Sequence, residues 1–403
     1  MPSKTNRAIA IAFAAILILA GAAILKPDWE PDAQAAAATP AGGGSAEPWT
    51  IGAPITYENL TIFPVISSQN ADTSEFETLD QALSDGDAVI SEQGGYMRRM
   101  RDGEPVPVYT GGSQVNQLVL VNRGKRPLLL LAGEVVSGGK QDRIIGKDRI
   151  VPIGAAPLPL DVFCVEHGRW TGASMQFSAA ETMVHPTVRE QAAVKQDQNK
   201  VWAAVRDDVP KVGAEIESVQ VDGGFAGGVG AGAARDNTTL APPALSESTI
   251  GGVVAGAPTQ SYRRIYQSPM VQNSVEGFAD EFNRRFDRAA FGIKGGRVVG
   301  VIVAFGDEVA WSDIFASSQL FETYWPKLLR SYVVEALTRP SVREAASLDD
   351  ARDFLRPLGG RFEEDTEPGV YTWREQSVND LTQIELEALE PKPITLHWLR
   401  VAR

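Results

Sequence analysis

The chain has one cysteine, three histidines and a deficit of positive charge. Each scarcity excludes something. A lone Cys164 rules out an internal disulfide framework and any cysteine-rich zinc site. His167, His185 and His397 are well separated in sequence and leave little material for a histidine-rich metal centre. Lys and Arg number 38 against 51 Asp and Glu, a net charge of −13, which argues against a nucleic-acid binder, since such proteins need a basic patch to displace counterions. What is present is the balance of a globular protein, 43% apolar and 22% charged over 403 residues, long enough for a sizeable core.

The N-terminus sets an expectation of compartment. Lys4 and Arg7 precede an uncharged apolar run, Ala8 to Leu25, of 18 residues. That exceeds the ~7–15 residues of a signal-peptide core and reaches the ~18 needed to cross a bilayer. Residues 1–25 therefore read as a membrane anchor or signal segment. The positive-inside rule keeps the N-terminus cytoplasmic and sends the rest outward. The protein is expected to be anchored in the inner membrane facing the periplasm, or secreted to the periplasm if the segment is cleaved. Ala33-Gln34-Ala35 is a possible cleavage site, although it lies some ten residues beyond the apolar run. Ala22 stands where lipidation would need cysteine. Residues 26–48, rich in Ala, Pro and Gly, read as a flexible tether.

Residues 49–403 read as a single large α+β domain. Its N-terminal half is expected to be β-rich, with a mixed or antiparallel sheet, and its C-terminal half to contribute packed helices. Strand-like runs include Leu60 to Val65, Leu118 to Asn122 and Leu128 to Leu131. A helix is expected over 187–206. Val275, Phe278, Ala279, Phe282 and Phe286 recur at helical spacing, and Ser317 to Leu337 predicts a second long helix in which Pro326 marks a kink or an early turn. Val298 to Phe305 reads as a buried strand that turns at Gly306-Asp307 into a hairpin. Residues 222–260 hold 9 Gly, 8 Ala and 3 Pro with a single aromatic, Phe225, so they read as a disordered insertion. Its glycines open no helix pattern, which argues against a phosphate loop.

Chemistry concentrates between residues 132 and 170. Gly133-Glu134 is followed by Gly138-Gly139-Lys140-Gln141-Asp142-Arg143, then by Lys147-Asp148-Arg149, and later by Cys164-Val165-Glu166-His167-Gly168-Arg169-Trp170. Glycines beside long donors let backbone approach a ligand while Lys140, Gln141, Arg143 and Arg169 clamp an anion or carboxamide. Trp170 offers a stacking face, and Glu134 and Glu166 form a candidate acid/base pair. The competing reading has the same charges pairing across a hairpin that turns at Gly138-Gly139. Cys164, flanked by Phe163 and Val165, reads as a buried thiol and not as a nucleophile served by His167. His185 and His397 read as structural. A metal on Glu134, Glu166 and His167 is disfavoured, because neighbours on a strand cannot easily share an ion.

The segments Ala132-Gly133-Glu134, Gly138 to Arg143 and Cys164 to Trp170, with Tyr324-Trp325-Pro326-Lys327-Leu328-Leu329 later in the chain, resemble a bacterial domain family of unknown function. That family is named for its association with ADP-ribosylglycohydrolases and rhodanese/phosphatase-superfamily proteins. The resemblance covers roughly residues 50–400 without the Gly/Ala-rich insertion. It implies involvement with ADP-ribose or NAD-derived metabolites, and Glu134, Lys140, Gln141, Arg143, Glu166, Arg169 and Trp170 as the site residues. It names no cofactor. The sequence thus points to an extracytoplasmic domain that binds a small anionic or nucleotide-like ligand, with hydrolysis by Glu166 or Glu134 as the chemical extension. A non-enzymatic cell-envelope scaffold with a protein partner is the alternative.

Overall fold

Seven of the nine residues in Arg297–Phe305 are buried. A strand covered on both faces must be apolar on both, and Val298 to Phe305 carries no charge. The computed structural model describes residues 49–92, 97–101, 104–108, 117–139, 141–167, 176–206, 260–262, 265–266, 269–289, 296–340 and 344–403. Of residues 97–101, 104–108, 166–167, 260–261, 269–271, 274, 283 and 285–289 it describes the backbone alone. The segments expected to be anchor and tether, Lys140, Gly168 to Trp170 and residues 222–259 lie outside the described residues.

Two β assemblies dominate. The first is a nine-stranded antiparallel sheet in the order Trp49–Ile51, Leu60–Ser67, Arg297–Phe305, Glu308–Phe315, Ile394–Ala402, Leu381–Ala388, Tyr371–Val378 and Glu363–Glu367, with Ile55–Tyr57 also on Leu60–Ser67. Arg297 pairs with Ser67, so the chain leaves this sheet after Ser67 and rejoins it 230 positions later beside the same strand. The second assembly occupies that excursion. It is a closed six-stranded barrel of Glu134–Gly138, Arg143–Ile145, Leu158–Cys164, Gln117–Asn122, Ala88–Glu92 and Gln176–Met183.

Five helices are named in chain order: α1 (Leu79–Asp85), α2 (Pro186–Ala193), α3 (Pro269–Ala289), α4 (Ser318–Thr338) and α5 (Leu348–Phe354). Helix α4 packs Phe321, Tyr324, Leu328, Tyr332 and Val333 into the largest apolar core, together with Val301, Val303 and Trp311 of the sheet. Each such aliphatic side chain contributes about 1.5–3 kcal/mol by burial. On the sheet's second core, Ala351 and Phe354 of α5 meet Phe63, Ile302 and Ile314. Here Arg400 donates to Phe354 O and Arg356 O, so a cation satisfies the carbonyl end of α5.

The structure is therefore mixed and β-rich. Two expectations differ in detail. The C-terminal half supplies six of the nine sheet strands as well as α3 to α5, because the final residues close the same sheet that the first strands open. The helix expected over 187–206 is two segments, Pro186–Ala193 and 198–206. Gln196 takes φ 49° between them, and the Asp197 carboxylate accepts from Asn199 N at 2.8 Å, capping the second. Helix α4, by contrast, runs through Pro326 without a break.

Candidate functional site

Alternation along the barrel strands decides which side chains enter it. Ile90, Leu118, Leu120, Val136, Ile145, Leu160, Val162 and Phe177 form its apolar interior. Arg143 pairs with Val136 on one side and with Cys164 on the other, so it shares their inward face and is 1% exposed. Glu92 continues the inward series of Ala88 and Ile90. The interior is thus apolar at one end and polar at the other. Burial pushes the Cys164 thiol up to about 11, with Arg143 pulling it down and Glu92 pushing it further up, which places all three groups together.

The polar end is one rim. Glu92, Gly138, Arg143, Cys164 and Gln176 all sit at this end of their strands, as the pairs Arg143 with Cys164, Gly138 with Phe177 and Gln176 with Ser91 require. Gly138, Gly139 and Arg143 of one chemically dense segment therefore meet Cys164 of the other there. Glycine is needed at the turn. Gly139 has φ +52°, and a Cβ on it would lie 2.4 Å from Phe177 Cζ and 2.7 Å from Glu92 Oε1. Gly139→Ala is expected to cost about 1–3 kcal/mol in chemical denaturation, with fluorescence as readout, and an unchanged midpoint would show that the turn is not packed this tightly. Gln141 is also buried, and Arg143 Nη1 donates to its backbone carbonyl at 2.8 Å. Asp142 accepts from Ser137 Oγ at 2.8 Å, a hydrogen bond across the same turn.

Glu134 lies at the opposite end of its strand, paired with Met183. Its carboxylate is 1% exposed, accepts from Leu131 N at 2.7 Å and bonds Lys327 Nζ of α4. Lys327 also reaches Asp80 of α1 at 2.7 Å. Burial pushes the Glu134 carboxyl up and Lys327 offsets this only in part. Burial disfavours the Lys327 ammonium, but Glu134 and Asp80 raise it overall.

The turn around Glu134 is a hub between barrel and sheet. Ala132 N donates to Asp148 Oδ1 at 2.7 Å, and Ala132 O accepts from Arg189 Nε of α2 at 2.7 Å. Gly133, at φ +92°, presses on the same side chain: a Cβ there would lie 2.8 Å from Arg189 Cγ. Tyr324 of α4 donates to Leu129 O at 3.2 Å. Beyond Ala132, Asp148 Oδ2 meets His397 Nδ1 at 2.6 Å, and His397 Nε2 meets Asp313 Oδ1 at 2.8 Å. Asp313 also receives Arg189, Trp311 Nε1 and the Tyr332 hydroxyl. Burial would raise the Asp313 carboxyl, yet Arg189 and His397 hold it well below the usual range. The neighbours of Asp148 complete the attachment. Lys147 lies over the Trp373 ring at 3.9 Å and pairs with Asp365 at 2.5 Å, so this part of the basic cluster serves the sheet.

The candidate residues thus separate. Gln141 and Arg143 are together at the rim, and Glu134 is in the hub at the other end. Glu166 belongs to a two-residue strand in which it pairs with Ser261 and His167 pairs with Gln260. Lys140, Arg169 and Trp170 lie outside the described residues. Among the described residues no group of three or more His, Cys, Asp or Glu is arranged to hold a metal.

A model of the ARG and Rhodanese-Phosphatase-superfamily-associated Protein domain, ARPP-1, matches residues 49–399. The chain belongs to this family. No curated protein and no solved structure matches it. Within this ARPP-1 domain the segments that carry the resemblance fall into two physical sets. Ala132-Gly133-Glu134 and Lys327 build the hub, whereas Gly138, Gly139, Gln141, Arg143 and Cys164 lie at the rim.

Sequence reasoning passed over Asp148, Arg189, Asp313 and His397 as a set. For Asp313 and His397 the one local signal is a charged or titratable residue inside an apolar strand, as in Trp311-Ser312-Asp313-Ile314-Phe315 and Leu396-His397-Trp398. His185 has a parallel fate, with its Nδ1 2.5 Å from the Tyr262 hydroxyl. That hydroxyl also accepts from His185 N at 2.9 Å.

Proposed function

We propose that this ARPP-1 domain binds a small anionic, nucleotide-like ligand of the ADP-ribose class at the polar rim of the barrel, and that it binds without hydrolysing it. The observation that carries the reading is the register of Arg143 with Cys164, which joins the two donor-rich segments at one end of a barrel whose remaining interior is apolar. Barrel mouths with a few convergent polar groups on an apolar wall are common ligand sites. Arg143 and Gln141 supply the described donors. Lys140, Arg169 and Trp170 belong to the same two sequence segments and are carried into the proposal by the family resemblance.

Hydrolysis is left out of the proposal for a geometric reason. An acid/base pair must address one bond from two sides. Glu134 is at the far end of the barrel, buried and bonded to Lys327. The scaffold reading has less support, since Ile153 is the one large apolar side chain exposed among the described residues. A periplasmic location, with residues 8–25 as anchor or signal, belongs to the same proposal. Ligand would then be captured locally, because a field of −13 repels anions.

The test is thermal denaturation against a panel of ADP-ribose, nucleotides and sugar phosphates. Ligand at about 100 times its Kd is expected to stabilise the fold by about 2.7 kcal/mol. Lys140→Ala and Arg169→Ala are expected to abolish the shift. A panel that moves the transition of neither wild type nor variants would sink the reading.

A further inference from the structure

Both ring nitrogens of His397 face carboxylates, Asp148 Oδ2 at 2.6 Å from Nδ1 and Asp313 Oδ1 at 2.8 Å from Nε2. A neutral imidazole has one N–H and one lone pair, and a lone pair against a carboxylate is repulsive. The arrangement is satisfied when both nitrogens carry protons. The charges then close: two carboxylates, one imidazolium and the Arg189 guanidinium, which meets Asp313 Oδ1 at 2.8 Å, sum to zero in a fully buried cluster. We propose that His397 is a proton-operated latch that docks the barrel on the sheet as an imidazolium and releases its grip when the ring loses a proton.

The placement supports a latch and not merely a buried ion pair. Asp148 belongs to the barrel side, on the turn after Arg143–Ile145, and it also holds Ala132 N of the hub. His397 and Asp313 belong to the sheet, on the paired strands Ile394–Ala402 and Glu308–Phe315. His397 is thus the middle of a bond running from one assembly to the other. Every element packed around it adds a group of known sense. Helix α2 brings Arg189, which stabilises Asp313 as an anion. Helix α4 brings Tyr332, donating to Asp313, and Tyr324, whose hydroxyl is engaged by Leu129 O. The Phe315 ring lies 4.8 Å from the imidazole and excludes water. Apart from His397 itself, Arg189 is the one cation bonded to either carboxylate among the described residues. When the ring becomes neutral, one carboxylate oxygen therefore loses the imidazole N–H and faces a lone pair instead.

The sign follows from linkage. Burial would lower the proton affinity of His397, but Asp148 and Asp313 raise it above that of a free histidine. The folded chain then holds this proton more tightly than the unfolded chain does. Its contribution is complete below the unfolded value, about 6.5, and is lost as the pH rises through the higher folded value. Asp313 behaves oppositely: its contribution is present above the ordinary carboxylate range of about 4 and is lost as the pH falls toward its depressed folded value. The latch is accordingly tightest in mildly acidic solution.

With three histidines in the chain, nitrogen-15 histidine labelling of the full-length protein gives three ring systems to follow by NMR. One ring, lost in His397→Gln, is expected to have both nitrogens protonated at pH 7. It should titrate above the free-histidine range. Hydrogen exchange at 131–134 and 146–149, corrected for intrinsic rates, should rise through the same pH interval. Asp148→Asn, which keeps the shape and removes one charge, should move both transitions to lower pH, and it decides the matter if His397→Gln does not fold. A neutral His397 ring at pH 7 would overturn the proposal. So would a titration that leaves exchange at the hub unchanged.

Discussion

Arg189→Met is expected to destabilise the domain by about 3–5 kcal/mol, measured as a fall in the urea midpoint at constant slope. Methionine keeps an apolar stem where the arginine stem packs against Gly133, and it removes the charge beside Asp313. What remains is a buried carboxylate with His397 as its one cationic partner, and an Ala132 carbonyl without its donor. Asp313 is fully buried, so solvent does not screen the loss. Adding Asp313→Asn should return part of the stability, because the orphaned charge is then gone. A loss below about 1 kcal/mol, the range of exposed ion pairs, would show that the cluster does not join the barrel to the sheet.

Lys327→Met should be nearly as costly. Its ammonium is shared by Glu134 and Asp80, and its side chain is 7% exposed. Removing one partner of a buried pair leaves the other charge uncompensated, again about 3–5 kcal/mol. Here the remaining carboxylate has an alternative: burial already raises Glu134, so it takes up a proton. The variant is therefore expected to recover stability as the pH falls, since a proton replaces the missing ammonium. Lys327→Met combined with Glu134→Gln should be more stable than Lys327→Met alone at pH 7. If the two substitutions simply add, Glu134 and Lys327 are not coupled in the way the hub requires.

The sequence made some of this legible and concealed the rest for identifiable reasons. Helices α3 and α4 announce themselves because an apolar stripe of helical period has few competing explanations. The turn at Gly138-Gly139 and the burial of Cys164 follow from local composition. The barrel does not, because its closure depends on Glu134–Gly138 meeting Gln176–Met183, a pairing across about forty residues that no local pattern encodes. The large sheet is hidden more deeply, since Ser67 and Arg297 are paired across 230 positions of chain. Local density of polar residues identified the segment 132–170 but did not divide it. Glu134 and Arg143 look alike in sequence as charged residues within a glycine-rich stretch. Strand direction places them at opposite ends of one barrel, Glu134 against Lys327 and Arg143 beside Cys164.

That division, with the hub structural and the rim binding, is the central claim. Its most direct test is calorimetric titration of ADP-ribose into the wild type, Glu134→Gln and Lys140→Ala, each below its own melting transition. Wild type and Glu134→Gln are expected to bind with the same affinity within a factor of about two, and Lys140→Ala to show no binding. Loss of binding in a folded Glu134→Gln variant, or full binding in Lys140→Ala, would contradict it.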